Sequence, residues 1–201
     1  HTIFNLSNVV IQFPFAFILI KIAMWIIPER DEDKNPKLTN FIDERLLETP
    51  TIAIKSVTNE TIHMGEVAMA SLNYAMEGYF ENQPDKVKKT FVLEKDINEL
   101  EHLITDFLVN LSNKDIMDSD RRYIDGLFNS INDIERIGDH ADNIAELVTT
   151  MSDSKIVLSE SSKQALMIMY NKTKITYEMA LKVLNKPTQD MIDEVIALEN
   201  E

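Results

Sequence analysis

The sequence contains no cysteine. Disulfides and thiolate metal sites are therefore excluded, and thiol usage says nothing about redox compartment. Any metal would have to sit on carboxylates, amides or imidazoles, which suits hard or intermediate cations. Glycine occurs four times and proline six times in 201 residues. That scarcity disfavours a turn-rich β protein and favours long helices. Positive charge is also short, with 20 Lys and Arg against 34 Asp and Glu, for a net charge of −14. A surface of that sign repels nucleic acid, whose binding rests on cations neutralising phosphates. The acidity is read either as a solubility device or as a capacity for cations. No glycine-rich phosphate loop, nucleophile–base pair or basic groove is found, so the chain is not expected to be an enzyme. What is present is 44% apolar residues, enough for a sizeable core in one or two domains.

The first apolar feature is a run from Ile3 to Ile27 whose single formal charge is Lys21. As a helix it would span about 37 Å, enough to cross a hydrocarbon core with some tilt. Trp25 lies where an interfacial belt would put it, and the stem of Lys21 is long enough to snorkel. Pro14 predicts a kink. A signal peptide would need a basic start and a small-residue cleavage site, and neither is present. A buried core helix is the competing reading, against which the length of the run counts. Residues 1–27 are therefore expected to be a transmembrane helix, the last part of a membrane domain, in a chain that starts mid-pattern at His1. Residues 28–49 form a charged linker that opens with Glu29-Arg30-Asp31-Glu32-Asp33-Lys34. Arg30, Lys34 and Lys37 lean towards a cytoplasmic side.

Beyond Pro50 the periodicity is helical. Apolar and small residues recur at Ile54, Val57, Met64, Val67, Ala68, Ser71, Ala75 and Gly78. Pro84-Asp85 restarts a helix with the stripe Leu93, Ile97, Leu100, Ile104, Phe107, Leu108 and Leu111. After a break at Ser112–Asp115, a third helix is expected from about Ser119 to Thr149. Its stripe contains Gly138, a sign of close helix approach. Three long antiparallel helices over residues 50–151 make a bundle. The pattern then begins again: Asp85 and Asp190, Leu93 and Leu198, and Glu94 and Glu199 are each 105 residues apart. Residues 158–201 are expected to start a second, truncated bundle. By repeat logic, a further Glu-Arg-Ile-Gly-Asp-like motif would lie about 41 residues after Glu199.

One constellation carries chemistry. On the third helix Glu135, Asp139 and Glu146 fall along one flank beside the apolar face, and Glu94, Asn98 and Glu101 line the matching flank of the second helix. Packed together, they would bring two rows of oxygen ligands to one groove. An i, i+4 carboxylate pair points both side chains the same way and grips a cation well. The competing reading is a solvated acidic edge with Arg136 pairing locally.

The stretch Ile134-Glu135-Arg136-Ile137-Gly138-Asp139-His140-Ala141-Asp142-Asn143-Ile144-Ala145-Glu146 resembles the signature of the PhoU family, and Leu93-Glu94-Lys95-Asp96-Ile97-Asn98-Glu99-Leu100-Glu101 resembles that family's first acidic motif. The resemblance implies an all-α fold of tandem three-helix bundles. It also implies a multinuclear metal site on E-x-x-x-D pairs, with Glu94, Asn98, Glu135 and Asp139 as the ligands here. The metal would be divalent Mg, Mn or Fe. Asn98 stands where the family has Asp, which removes one charge. Upstream, His1-Thr2-Ile3-Phe4-Asn5 followed by an apolar run with Pro14 is similar to a late transmembrane helix of bacterial sodium/phosphate cotransporters, which carry a PhoU-like domain after their membrane part.

Other motifs point nowhere further. Glu60-x-x-His63 has di-iron spacing, but a di-iron bundle needs two such motifs and two further glutamates. His140 lies opposite the apolar stripe, where a solvated histidine is expected. The resulting expectation is the carboxy-terminal part of a sodium-dependent phosphate transporter at the cell membrane. Its missing upstream helices would bind sodium and phosphate. Its PhoU-like bundle would be a cytoplasmic regulatory or assembly module, with a homo-oligomer as a further partner. The alternative is a membrane-tethered PhoU-type phosphate-signalling adaptor without transport activity.

Overall fold

A computed structural model describes residues 38–199. The expected transmembrane segment at residues 3–27 and the charge run at 29–34 lie outside the described residues. Among the described residues, no helix is long and apolar enough to cross a membrane.

A short 3-10 helix, Glu44–Glu48, is followed by five α-helices. These are α1 (Pro50–Phe80), α2 (Pro84–Ser112), α3 (Asp118–Asp153), α4 (Glu160–Asn185) and α5 (Gln189–Glu199). Each start has a local cause. Pro50 and Pro84 open α1 and α2 at positions whose N–H would be unpaired anyway. Asp118 and Asp120 place negative charge in the first turn of α3. The Ser159 hydroxyl accepts from the Ser162 N–H to cap α4.

The ends of α1 and α3 are Schellman turns. At α1, the Gln83 N–H reaches the Gly78 carbonyl while Asn82 takes φ 52°. At α3, the Ile156 and Lys155 N–H groups reach the carbonyls of Met151 and Ser152, with Lys155 at φ 55°. The third helix therefore runs past the expected stop at Thr149. Met151 still packs into the core, and the stop is made by a lysine in a conformation that glycine usually signals.

α1, α2 and α3 form an antiparallel three-helix bundle. Its centre is filled by Met64 from α1, by Ile97, Leu100, Ile104, Leu108 and Leu111 from α2, and by Ile124, Leu127 and Ile131 from α3. The stripes expected from periodicity are those that face inward. α1 is lined with small buried residues, Ala53, Ala68, Ser71, Ala75 and Gly78, which let it sit close to both neighbours. Its buried Thr58 and Thr61 hydroxyls donate to the Ile54 and Val57 carbonyls and so bring no unpaired polar group inside.

α4 rests on the outer side of α1. The Tyr177 hydroxyl donates to the Gly65 carbonyl at 3.1 Å, and Leu181 lies against Gly65, where a Cβ would meet it at 2.5 Å. Tyr170 donates to the Asn73 side-chain carbonyl. α5 follows α4 across a tight break at Lys186–Thr188.

The 105-residue repeat is reproduced in element ends. α1 ends at Phe80 and α4 at Asn185, while α2 starts at Pro84 and α5 at Gln189. Burial does not repeat. Met64 is fully buried, whereas Met169, 105 residues on, is 61% exposed.

Candidate functional site

The site is built on the α2/α3 contact. Gly138 of α3 faces Ile97 of α2 so closely that a Cβ on it would stand 3.0 Å from Ile97 Cδ1 and 3.2 Å from Cγ2. That contact fixes the register of the two antiparallel helices. In that register Glu94 acts electrostatically on Asp142 across the groove, and Glu101 on Glu135. Asn98 lies between Glu94 and Glu101 on α2, and Asp139 between Glu135 and Asp142 on α3.

The electrostatics are repulsive. The Glu135 carboxyl is held above the usual carboxylate range, first by partial burial, then by Asp139 and Glu101, with a hydrogen bond to Asp139 adding to it. Arg136 pulls the other way more weakly; its guanidinium is 3.7 Å from Asp133 on the exposed side. Asp142 is likewise raised, by burial and then by Glu94, Glu146 and Asp139. On α2 the Asn98 amide donates to Glu94 Oε1, and Thr105 donates to Glu101 Oε1 at 3.4 Å. His102 Nδ1 lies 2.9 Å from Glu101 Oε2.

Of the four expected metal ligands, Glu94 and Asn98 touch each other, and Glu135 and Asp139 influence each other along α3. The cross-helix partners are different ones, Asp142 and Glu101. The signal for Asp142 was present in the sequence. It is seven residues after Glu135 and three after Asp139, which returns it to the same helix face. Glu135, Asp139, Asp142 and Glu146 thus form one stripe made of two successive i, i+4 pairs.

The donor set is all oxygen, as a hard divalent cation requires, and its excess negative charge suits one. Among the described residues, however, no three such side chains converge on a point that a metal ion could occupy. The Asn98 amide turns its nitrogen, not its oxygen, to Glu94. The row therefore fits a cation as a counter-charge rather than as a finished chelate.

A second feature lies on the opposite side of α3. A cleft of about 390 Å³ opens between α1, α3 and α4, lined mainly by apolar side chains including Leu72, Ile144, Leu147 and Met169. His140 is exposed, as expected, and stands at the edge of this cleft.

Comparison with known proteins gives these helices a relationship. Residues 61–148 match the PhoU domain family. The candidate inorganic phosphate export protein YjbB of Escherichia coli strain K12 is 29% identical over 128 residues, which is 61% of this chain and 22% of that protein. The protein of the same name from Salmonella typhimurium is 23% identical over 188 residues, or 91% of this chain and 34% of that protein. A phosphate-specific transport system accessory protein PhoU homolog of a Synechocystis strain is 27% identical over 101 residues, half of this chain and 45% of that protein. The chain thus spans about a fifth to a third of the length of the export proteins it resembles. No solved structure gives a significant match. The names of these relatives speak of phosphate and not of sodium. The expectation of a sodium/phosphate cotransporter is therefore narrowed to a link with phosphate transport.

Proposed function

We propose that the bundle is the regulatory module of a phosphate transport system, a PhoU-type adaptor that conveys phosphate status to a partner by binding rather than by catalysis. The observation that carries this reading is where the PhoU match falls. It covers most of α1 and α3 and all of α2, the helices whose joined flank bears the two acidic rows. In this reading the apolar segment of residues 3–27 tethers the module to the cell membrane, with the bundle on the cytoplasmic side. A divalent ion (Mg, Mn or Fe) attracted by Glu94, Asn98, Glu135 and Asp139, together with Glu101 and Asp142, would relieve the repulsion across the α2/α3 groove. The state of the bundle would then depend on its counter-ion. α4 and α5 would be the opening of a second bundle.

One observation favours a second reading, in which the chain is the regulatory end of a transporter. The Salmonella match takes in 91% of the chain, so it reaches into the apolar segment whichever end it leaves out. The membrane segment and the bundle would then form one transporting protein with further helices.

The test is expression of the chain in a bacterium whose own PhoU-type protein has been deleted. Restored phosphate repression, lost again in the double variant Glu135→Ala/Asp139→Ala, supports the adaptor. Repression that stays absent with the chain stably present in the membrane fraction overturns it. Phosphate movement by the natural full-length protein reconstituted into vesicles would support the second reading.

A further inference from the structure

The spacing Glu60-x-x-His63 does not serve a di-iron centre in this fold; it fastens the entering chain to α1. Glu60 lies in the first third of α1 and is 0% exposed. An ionised carboxylate is strongly unfavourable in such a place unless fully hydrogen-bonded. Three consecutive backbone N–H groups supply the bonds. Asn40 donates to Oε1 at 3.1 Å, and Phe41 and Ile42 donate to Oε2 at 2.6 and 3.1 Å. The His63 Nδ1–H donates to Oε1 at 2.9 Å, and its Nε2 faces the Asn40 amide nitrogen at 3.0 Å. That pattern matches the neutral imidazole protonated on Nδ1, which donates with one nitrogen and accepts with the other.

The segment held in this way buries none of its own side chains. From Leu38 to Leu46 none of the residues is buried, Phe41 is 45% exposed, and the next apolar anchor is Leu47. Phe41 and the His63 ring meet in a T-shaped arrangement, with centroids 6.4 Å apart. Few buried apolar contacts mean a low cost of local opening. At Asn40–Ile42 the attachment is polar and centred on one buried carboxylate, while the bundle core is apolar and elsewhere.

We infer that residues 40–42 are a releasable strap, clasped by Glu60 and His63, which opens without unfolding the bundle. Opening would detach Asn40–Ile42 from α1, three residues that span at most about 10 Å when extended. The strap would thus set how tightly the bundle is held to whatever precedes Leu38. This use of the strap rests on the regulatory reading above. The clasp itself does not, and the experiment reads the clasp alone.

The test is amide hydrogen exchange on the 201-residue chain. In the wild type, the Asn40, Phe41 and Ile42 amides should be protected, but less than those of Ile97, Ile104 and Ile131. In Glu60→Gln, which keeps the shape and removes the charge, the strap amides should exchange about 100-fold faster while the three core amides stay unchanged. In His63→Ala, at a half-exposed position, the strap should exchange about 10-fold faster. Strap amides that are unprotected in the wild type, or unaffected by both substitutions, would overturn the clasp. Core amides that lose protection in step with the strap, or a Glu60→Gln chain that does not fold, would make Glu60 a residue of the global fold and overturn the releasable strap.

Discussion

A methyl group added at Gly138 probes the contact that sets the α2/α3 register. Gly138 lies in the interior of α3, so alanine should gain about 1 kcal/mol of helix propensity. Against this stands Ile97, whose Cδ1, Cγ2 and Cβ would be 3.0, 3.2 and 3.7 Å from the new carbon. Rotation about χ2 can move Cδ1 away. Cγ2 is fixed by χ1, and Ile97 is only 1% exposed with core on its other side. Overpacking of this kind costs about 1–3 kcal/mol, so Gly138→Ala should be destabilising by about 1 kcal/mol on balance. Gly126, on the same helix, is the internal control: a Cβ there meets nothing within 4 Å. Gly126→Ala should gain about 1 kcal/mol, and the two variants should melt in opposite directions by about 2–4 °C each. Thermal unfolding of the chain and its two variants under identical conditions measures the gap. Adding Ile97→Val removes Cδ1 and should reduce the cost of Gly138→Ala, a coupling that a double-mutant cycle detects. If Gly138→Ala stabilises as much as Gly126→Ala does, α2 and α3 are not in close contact at this point, and the pairing of Glu94 with Asp142 and of Glu101 with Glu135 loses its basis.

Three further outcomes follow from the same geometry. The raised carboxyls of Glu135 and Asp142 take up protons in the fold at a pH where the unfolded chain, with ordinary values of 4.5 and 3.8, does not. Their contribution to stability should therefore rise as pH falls from neutral through the raised values and level off below the ordinary ones; urea midpoints in wild type and Glu135→Gln between pH 7 and 4.5 should converge on acidification, and parallel curves would count against the repulsion. Millimolar Mn²⁺ or Mg²⁺ should raise the melting temperature of the wild type and not that of Asp139→Ala, whereas equal shifts in both would reduce the ion to a general salt effect. Lys155→Gly should stabilise the chain by about 1 kcal/mol, because φ 55° is strained for a lysine and natural for glycine; a loss on calorimetric unfolding would mean the Lys155 side chain holds the α3–α4 turn in some other way.

The parts of the structure that sequence made legible are those written in one face of one helix. The core stripes of α1, α2 and α3 depend on local periodicity, and the buried residues at Ile97, Leu100, Ile104, Leu127, Ile131 and Ile134 are those the 3.6-residue period selects. Gly138 was readable because glycine in an apolar stripe has few other uses. Registers between helices are not local. Whether Glu94 faces Asp139 or Asp142 depends on a shift of less than one turn, which is fixed by Gly138 against Ile97 and not by either acidic motif alone. The end of α3 was misjudged for a related reason. A Schellman turn at Lys155 carries no glycine or asparagine to announce it. Glu60 was legible as a motif and illegible as a function, because its partners are backbone groups of Asn40, Phe41 and Ile42, and every non-proline residue has such a group.

The α2/α3 seam combines two opposed demands. Its buried side, at Gly138 and Ile97, draws the helices so close that a Cβ at position 138 would stand 3.0 Å from Ile97 Cδ1. Its flank sets Glu94 and Glu101 against Asp142 and Glu135, and both α3 carboxyls respond by holding protons more tightly. The apolar contact is short-ranged and insensitive to solution conditions, whereas the repulsion changes with protons and counter-ions. Changing the counter-ion at such a seam shifts the balance between the two without altering the core that holds the bundle together. A purely structural edge would gain nothing from this arrangement, because replacing Asp142 or Glu135 with a neutral residue would stabilise it. The repulsive row has a use if the seam's response to charge is itself what the proposed regulatory module reads.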